Sequence, residues 1–390
     1  MNKIGYILSA IMLIFGAIST LSSKGMYSSN VPIPGYDNQN GPLSPNHPAV
    51  YTALMFFGEF LCLPSYGVIK GVNHRKHKER TVADGKQKFK VFPHTFLFLI
   101  PTAFDLIGSQ LFSMGNFYCA PSVYQVLRNL IVPFVALFSF ILFRDYRKRF
   151  DLHHIIGLIG ILVGAAGTGL ASVFFADTTE GGDESKNAAL GVLFTVLGCL
   201  FSAGFFFSEE IGLRRIDAHP FQGVGIEGSW GLILYAILLP IFNVVTDPFS
   251  DVNTLTGSKP HMANLVLWAK QFAASPSYCA LHFLNIVGVY GFNVAGMSIT
   301  KYASSSTRVT IDALRTIVVW AFGFAFKWET WNVKRTPTQM GCFIILVLGV
   351  LTYNRVLIKI PYMRAANKED VALAAVSKNA EIEVQEHQEF

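Results

Sequence analysis

The sequence predicts an all-α polytopic membrane protein with ten transmembrane helices in two inverted five-helix repeats. Three observations predict it. Of 390 residues, 52% are hydrophobic and only 14% are charged, against roughly a quarter charged in soluble domains. Apolar runs of about twenty residues, long enough to cross a ~30 Å hydrocarbon layer, recur along the chain. A charged motif also occurs twice, as Leu127-Arg128-Asn129-Leu130-Ile131-Val132 and as Leu314-Arg315-Thr316-Ile317-Val318-Val319. This composition excludes a secreted or cytosolic globular enzyme, a disordered regulator and a fibrous protein.

Spans are expected near 4–21, 49–69, 95–114, 122–143, 154–176, 188–207, 224–243, 278–299, 304–326 and 339–358. The first follows Lys3 and exceeds the 7–15 apolar residues of a signal core, which favours a retained helix. The second carries Glu59 and the third Asp105. In the fourth, Gln125, Arg128 and Asn129 form a short polar face, and Pro133, one turn on, can kink the helix and free a carbonyl. The fifth holds Gly157, Gly160, Gly164 and Gly167, a small-residue face suited to close packing within the chain or to a homodimer. The sixth ends in Phe205-Phe206-Phe207, expected, like Trp320, Trp328 and Trp331, to anchor against lipid or interface. The seventh carries Glu227. Lys301, Ser305, Arg308, Asp312 and Arg315, at and within the ninth, are spaced by three or four, which places them on one inward helical face.

Each half then reads alike, with an acidic residue in its second span (Glu59, Glu227), a Leu-Arg in its fourth and a Gly-started fifth (Gly157, Gly341). Five is odd, so consecutive units enter the membrane in opposite orientations, an arrangement that puts a substrate site near the midplane between halves. The expected division is a first repeat over 1–176, an acidic linker over 177–187, a second repeat over 188–358 and a tail over 359–390.

The net charge of +6 raises the question of a nucleic-acid partner. Position answers it: 21 of the 31 basic residues fall in one alternating set of loops, including 70–90, 144–149 and the tail. That bias places both termini in the cytosol and makes the charge a mark of orientation. Loops 26–48, 177–186 and 244–277 are expected on the opposite side. The five cysteines lie in or beside apolar runs without a C-x-x-C pair, so they are expected to pack as small hydrophobes.

A charge at the centre of a span costs about 2.5–3.5 kcal/mol on insertion scales, so such a residue faces a partner or a cavity. Seven are expected: Glu59, Asp105, Arg128, Glu227, Arg308, Asp312 and Arg315. With Gln125, they make up the candidate substrate-binding set. Arginine suits carboxylate or phosphate, and the competing role for Arg308, Asp312 and Arg315 is an ion-pair network that fixes helix packing, with Asp312 orienting both arginines. Glu59, Asp105 and Glu227 are candidates for carrying a coupled proton, or for plain hydrogen bonds to a neighbouring helix. Lys24 and Lys301, near the membrane boundary, are candidate gates. No nucleophile–base pair, metal cluster or Gly-rich phosphate loop stands out, so no enzyme activity, metal or cofactor is expected.

The block 298–320, with Thr20-Leu-Ser-Ser-Lys24, Gly58-Glu59-Phe60, Gln125-Val-Leu-Arg128, His219-Pro220 and Val224-Gly-Ile-Glu227-Gly228, resembles the F-type branch of solute carrier family 35. That branch belongs to the drug/metabolite transporter superfamily, with the nucleotide-sugar transporters. Glu209-Glu210 matches an acidic pair of the branch, and the resemblance runs from the first span to the tenth. It implies two inverted repeats around a cavity opened alternately to each side, cytosolic termini and an endomembrane location, lysosome or vacuole first, Golgi or mitochondrion as alternatives. The loops 26–48 and 73–90 and the acidic tail depart from the branch. The expected function is a secondary transporter of a small polar or organic-anion solute, with proton coupling open. A nucleotide-sugar antiporter and a non-transporting membrane adaptor are the alternatives.

Overall fold

The computed structural model describes residues 3–29, 31, 47–77, 95–119, 121–142, 152–175, 183–216, 218–246, 261–325 and 333–353. Among them the elements are helical, apart from one isolated bridge between Thr246 and His261. They run α1 (Lys3–Tyr27), α2 (Pro48–Phe60), α3 (Cys62–His77), α4 (Leu99–Tyr118), α5 (Pro121–Arg128), α6 (Ile131–Leu142) and α7 (Leu152–Phe174). There follow α8 (Asp183–Ile216), α9 (Pro220–Phe242), α10 (Leu265–Ala274), α11 (Pro276–Tyr302), α12 (Ser305–Ala313), α13 (Arg315–Ala325) and α14 (Arg335–Tyr353). Proline at the first helical position starts α2, α9 and α11, where its missing N–H costs nothing and its fixed φ already suits a helix.

Nine stretches among the described residues are long and apolar enough to cross a membrane: Gly5–Tyr27, Pro48–Val72, Phe96–Tyr118, Val123–Leu142, Leu152–Ala171, Ala189–Leu213, Pro220–Phe242, Pro276–Tyr302 and Arg335–Tyr353. They match nine of the ten expected spans. The remaining one, 304–326, is two short helices, α12 and α13, joined at Leu314. The fourth span is also interrupted, with turns at Asn129 and Leu130 between α5 and α6. There Pro133 cannot donate to the carbonyl four residues back, and Asn129 N and Leu130 N bond to Val126 O and Leu127 O in the tighter i−3 pattern. Leu127 O, in addition to the bond from Leu130 N, and Arg128 O accept from Cys199 Sγ at 3.4 and 3.7 Å. Both interrupted spans break at the Leu-Arg pair, and no proline or glycine stands at the second break.

Three expected boundaries move. The linker 177–187 is helical from Asp183 onward, because α8 begins there and runs on to Ile216, well beyond 207. The loop 244–277 contains α10, whose first turn is capped by Asn264 accepting from Leu267 N at 2.9 Å. Lys301 lies in the last turn of α11, which ends at Tyr302 before the chain turns into α12 at Ser305, so the stripe from Lys301 to Arg315 is divided among three helices. The tail 359–390, Trp328 and Trp331 lie outside the described residues.

The helices pair extensively as α1 with α11, α4 with α8, α2 with α9 and α7 with α14, while α5 meets α13. Glycine permits three of these approaches. A Cβ on Gly164 would stand 2.6 Å from Cys342 O, one on Gly160 2.9 Å from Gly349 Cα, and one on Gly349 2.8 Å from Gly157 O. The glycine face of the fifth span is thus filled by α14 of the same chain. Gly228 on α9 is likewise closed off by Glu59 C of α2, which would lie 2.7 Å from its Cβ, and Gly288 by Ser19 N at 2.7 Å.

Candidate functional site

A cavity of about 130 Å³ opens among α1, α2, α4, α5, α8, α11, α12 and α13, and five of the expected charged residues reach its wall: Glu59, Asp105, Arg128, Arg308 and Arg315. Gln125, Glu227 and Asp312 are buried but do not line it. The candidate gates Lys24 and Lys301 do not line it either. Lys24 Nζ donates to Asn116 O and Cys119 O at 3.0 and 3.1 Å, at the end of α4, and Lys301 Nζ to Ala218 O at 3.0 Å, ahead of α9. Lys24 therefore meets backbone carbonyls at a helix C-terminus, a placement favourable for a cation, and Lys301 meets a carbonyl of the short connection between α8 and α9.

The three arginines are held differently. Arg308 is 2% exposed and forms a bidentate pair with Glu209, its Nη1 donating to Oε1 at 2.9 Å and Oε2 at 2.7 Å. Its Nη2 donates to Asn293 Oδ1 at 3.1 Å, and Asn293 Nδ2 donates in turn to Glu59 Oε1 at 2.7 Å. A polar chain thus runs from α8 through α12 and α11 to α2. Arg315, also 2% exposed, bonds Asp312 Oδ2 at 2.9 Å and Gly16 O at 3.1 Å, which ties α13 to α1. Asp312 therefore orients Arg315, whereas Arg308 takes its carboxylate from α8; the expected single network is two separate ion pairs.

Arg128 is the exception. It is half-buried on the cavity wall, with its guanidinium carbon 4.7 Å from the centroid of Phe112 and 5.7 Å from that of Tyr124. Among the described residues its guanidinium makes one hydrogen bond, to Tyr124 Oη at a long 3.5 Å. Among the described residues no carboxylate pairs with it. The aromatic faces supply about 0.5–2 kcal/mol of cation–π attraction each, which holds the guanidinium without neutralising it.

Two acids on the wall lack a basic partner within ion-pair distance among the described residues. Asp105 accepts from Ser109 Oγ at 2.9 Å. Glu59 is 3% exposed and its second oxygen, Oε2, has no hydrogen bond among the described residues; nor has Glu227 Oε1.

Sequence reasoning missed Glu209 and Glu210 as membrane-embedded charges. Both are buried, and Glu210 Oε2 accepts from Ser305 N at 2.9 Å and from Ser305 Oγ, which fixes the start of α12. The aromatic block was misplaced as well. Phe205 and Phe206 line the cavity, with Phe206 4.7 Å from the Arg308 guanidinium carbon, rather than facing lipid. Both belong to the main apolar cluster, and the Arg308 guanidinium lies near both rings.

No protein-family model matches the chain. Solute carrier family 35 member F6 of Mus musculus is 30% identical over 90% of this chain and 89% of its own length. The protein of the same name from Homo sapiens is 27% identical over 90% and 89%. An uncharacterized protein of Schizosaccharomyces pombe is 25% identical over 91% of this chain and 98% of its own. One solved crystal structure, 13% identical, superposes with a TM-score of 0.51 over 92% of this chain and 100% of its own, a likeness of fold alone.

Proposed function

The chain belongs to the F branch of solute carrier family 35, and from that membership we propose that it is a secondary transporter moving a small polar or organic-anion solute by alternating access. It is an integral multi-pass membrane protein of the solute-carrier class. The observation that carries the finer reading is Arg128, a cation within the bilayer that lines a polar cavity with no carboxylate within ion-pair distance among the described residues. An uncompensated charge at that depth costs kilocalories per mole, and a bound anionic group would relieve that cost.

Two five-helix repeats of opposite orientation are part of the proposal. Its support is the pairing of first with eighth and third with sixth spans, which an exchange of halves turns into one another, while second–seventh, fourth–ninth and fifth–tenth map onto themselves. Each half also seats its Leu-Arg arginine on a phenylalanine of its own third helix, Arg128 on Phe112 and Arg315 on Phe292. Glu59 and Glu227, buried with an unpartnered oxygen each, are the proposed carriers of a coupled proton, and Lys24 and Lys301 the proposed latches at opposite faces. Cytosolic termini rest on the distribution of Lys and Arg, and placement in a lysosomal or vacuolar membrane on the family resemblance.

A nucleotide-sugar substrate fits this conformation poorly. The cavity of about 130 Å³ falls below the roughly 300–1,000 Å³ of sites for drug-sized ligands and is near the ~150 Å³ that accommodates benzene. Uptake by purified protein in liposomes, screened over metabolite classes with and without a pH gradient, tests the proposal. Accumulation of a small anionic or zwitterionic solute that changes with the gradient supports it, and no uptake of any solute would sink it.

A further inference from the structure

The charges on the cavity wall do not all cancel, and what remains specifies more than an anion. Arg308 is neutralised by Glu209 and Arg315 by Asp312. That leaves Arg128 on one side, and Asp105 and Glu59, neither in an ion pair among the described residues, on the other. A simple organic anion would satisfy Arg128 and leave two carboxylates facing a further negative charge. A simple amine would satisfy a carboxylate and leave the arginine. From this we infer that the cavity takes a compact zwitterion, an amino acid, whose carboxylate meets Arg128 and whose ammonium meets Asp105, with Glu59 left to carry the proton. The inference rests on the transport reading above and narrows its substrate.

Geometry agrees. Asp105 and Phe112 lie on α4 seven residues apart, two turns on the same face, with Ser109 between them, which is about 10 Å along the axis at 1.5 Å per residue. The Arg128 guanidinium rests on the Phe112 ring. Two charge-assisted contacts of about 2.8 Å each use more than half of that separation and leave room for a ligand whose poles are a few ångströms apart. Ser109, Ser113 and Asn116 on the same helix, and Ser202 of α8 packed beside it at Gly108, add hydroxyl and amide groups to the wall, as a small ligand without room for its own hydration shell requires. Glu59 Oε2, nine-tenths or more buried and unpartnered at this wall, completes a site with polar groups still to be satisfied.

The test is thermal unfolding of the purified full-length protein in detergent against the twenty common amino acids. Each one that stabilises is then compared with its two halves: the amine that lacks the carboxylate and the acid that lacks the amino group. The expected result is an upward shift of about 3 °C or more at saturation for at least one amino acid, with neither half giving more than a small fraction of it. In Asp105→Asn the preference of amino acid over deaminated acid is expected to fall at least tenfold in apparent affinity. If the deaminated acid stabilises as well as the amino acid, the inference is overturned while an organic-anion transporter stands. If none of the amino acids or acids shifts the transition, the inference and the anion reading both fail.

Discussion

Asn129 and Thr316 hydrogen-bond to each other across the molecule: Asn129 Nδ2 donates to Thr316 Oγ1 at 3.0 Å, and the two residues stand 187 positions apart. They hold the same place in the two Leu-Arg motifs, directly after Arg128 and Arg315. A contact between equivalent residues of two repeats is what an internal two-fold axis produces, and this one sits where both the fourth and ninth spans are broken.

Thr316→Val removes the acceptor while Asn129 Nδ2 keeps Gln125 O and Val126 O at 3.1 Å each. The expected loss is therefore modest, about 1 kcal/mol. A double-mutant cycle with Asn129→Leu, read by thermal unfolding in detergent, should show non-additivity of at least 0.5 kcal/mol. Strict additivity would mean that the two do not interact.

Glu209 and Arg308 are 0% and 2% exposed and 2.7 Å apart. Removing one member leaves a buried uncompensated charge, so Glu209→Gln and Arg308→Gln should each destabilise by about 3–5 kcal/mol. The double variant should be more stable than either single. If the double loses the sum of both, the pair does not neutralise itself.

The glycine face of α7 should tolerate no side chain. In Gly164→Val the new atoms meet the backbone of α14, with Cys342 O at 2.6 Å and Leu346 N at 2.7 Å from Cβ alone. Backbone cannot step aside as a flexible side chain can, which puts the cost near 3 kcal/mol or above. Loss of the monodisperse peak in size-exclusion chromatography checks it. Gly341, with open space around it, is the control, and Gly341→Ala should behave as wild type.

Just outside the spans, His47 is 2% exposed and its Nε2 donates to Gln271 Oε1 of α10 at 2.7 Å, while Nδ1 is buried without a partner. Burial lowers its pKa from 6.5 to about 4; the bond to Gln271 opposes that fall and nearby His282 adds to it. Its folded pKa thus lies below its unfolded one, so the unfolded chain takes up the proton first as pH falls. The associated stability is complete above about pH 6.5 and is lost on acidification toward pH 4, by about 3 kcal/mol in all. Melting temperatures at pH 7.5 and 4.5 should diverge less in His47→Gln than in wild type. An equal drop in both would show that His47 does not set this dependence.

Composition and apolar run length disclosed nine spans because both report directly on transfer to lipid. The tenth was visible as an apolar stretch, but its division at Leu314 was not, since no helix breaker stands there; at the fourth span Pro133 gave the warning. The stripe from Lys301 to Arg315 assumed one continuous helix, and the turn at Ala303 and Ser304 sent Arg308 to a partner on another element. Glu209 was missed because the apolar run of the sixth span stops at Phe207, whereas the helix continues for nine more residues. The acidic pair carried a usable signal: two carboxylates directly following a span, in a chain with three arginines in its apolar runs, call for basic partners. Seven charged positions were legible as lying within apolar runs; which of them remain without an ion pair required the geometry.

In the proposed transport cycle Arg128 is the residue that meets the transported solute. Counterflow uptake by reconstituted wild-type and Arg128→Gln protein, over the same set of labelled amino acids and organic acids, tests it directly. Wild type should accumulate at least one of these solutes, and Arg128→Gln, matched for reconstitution and melting temperature, should lose that uptake by about 100-fold, as expected for about 3 kcal/mol of lost charge-assisted contact. Uptake by Arg128→Gln at the wild-type rate would contradict the account.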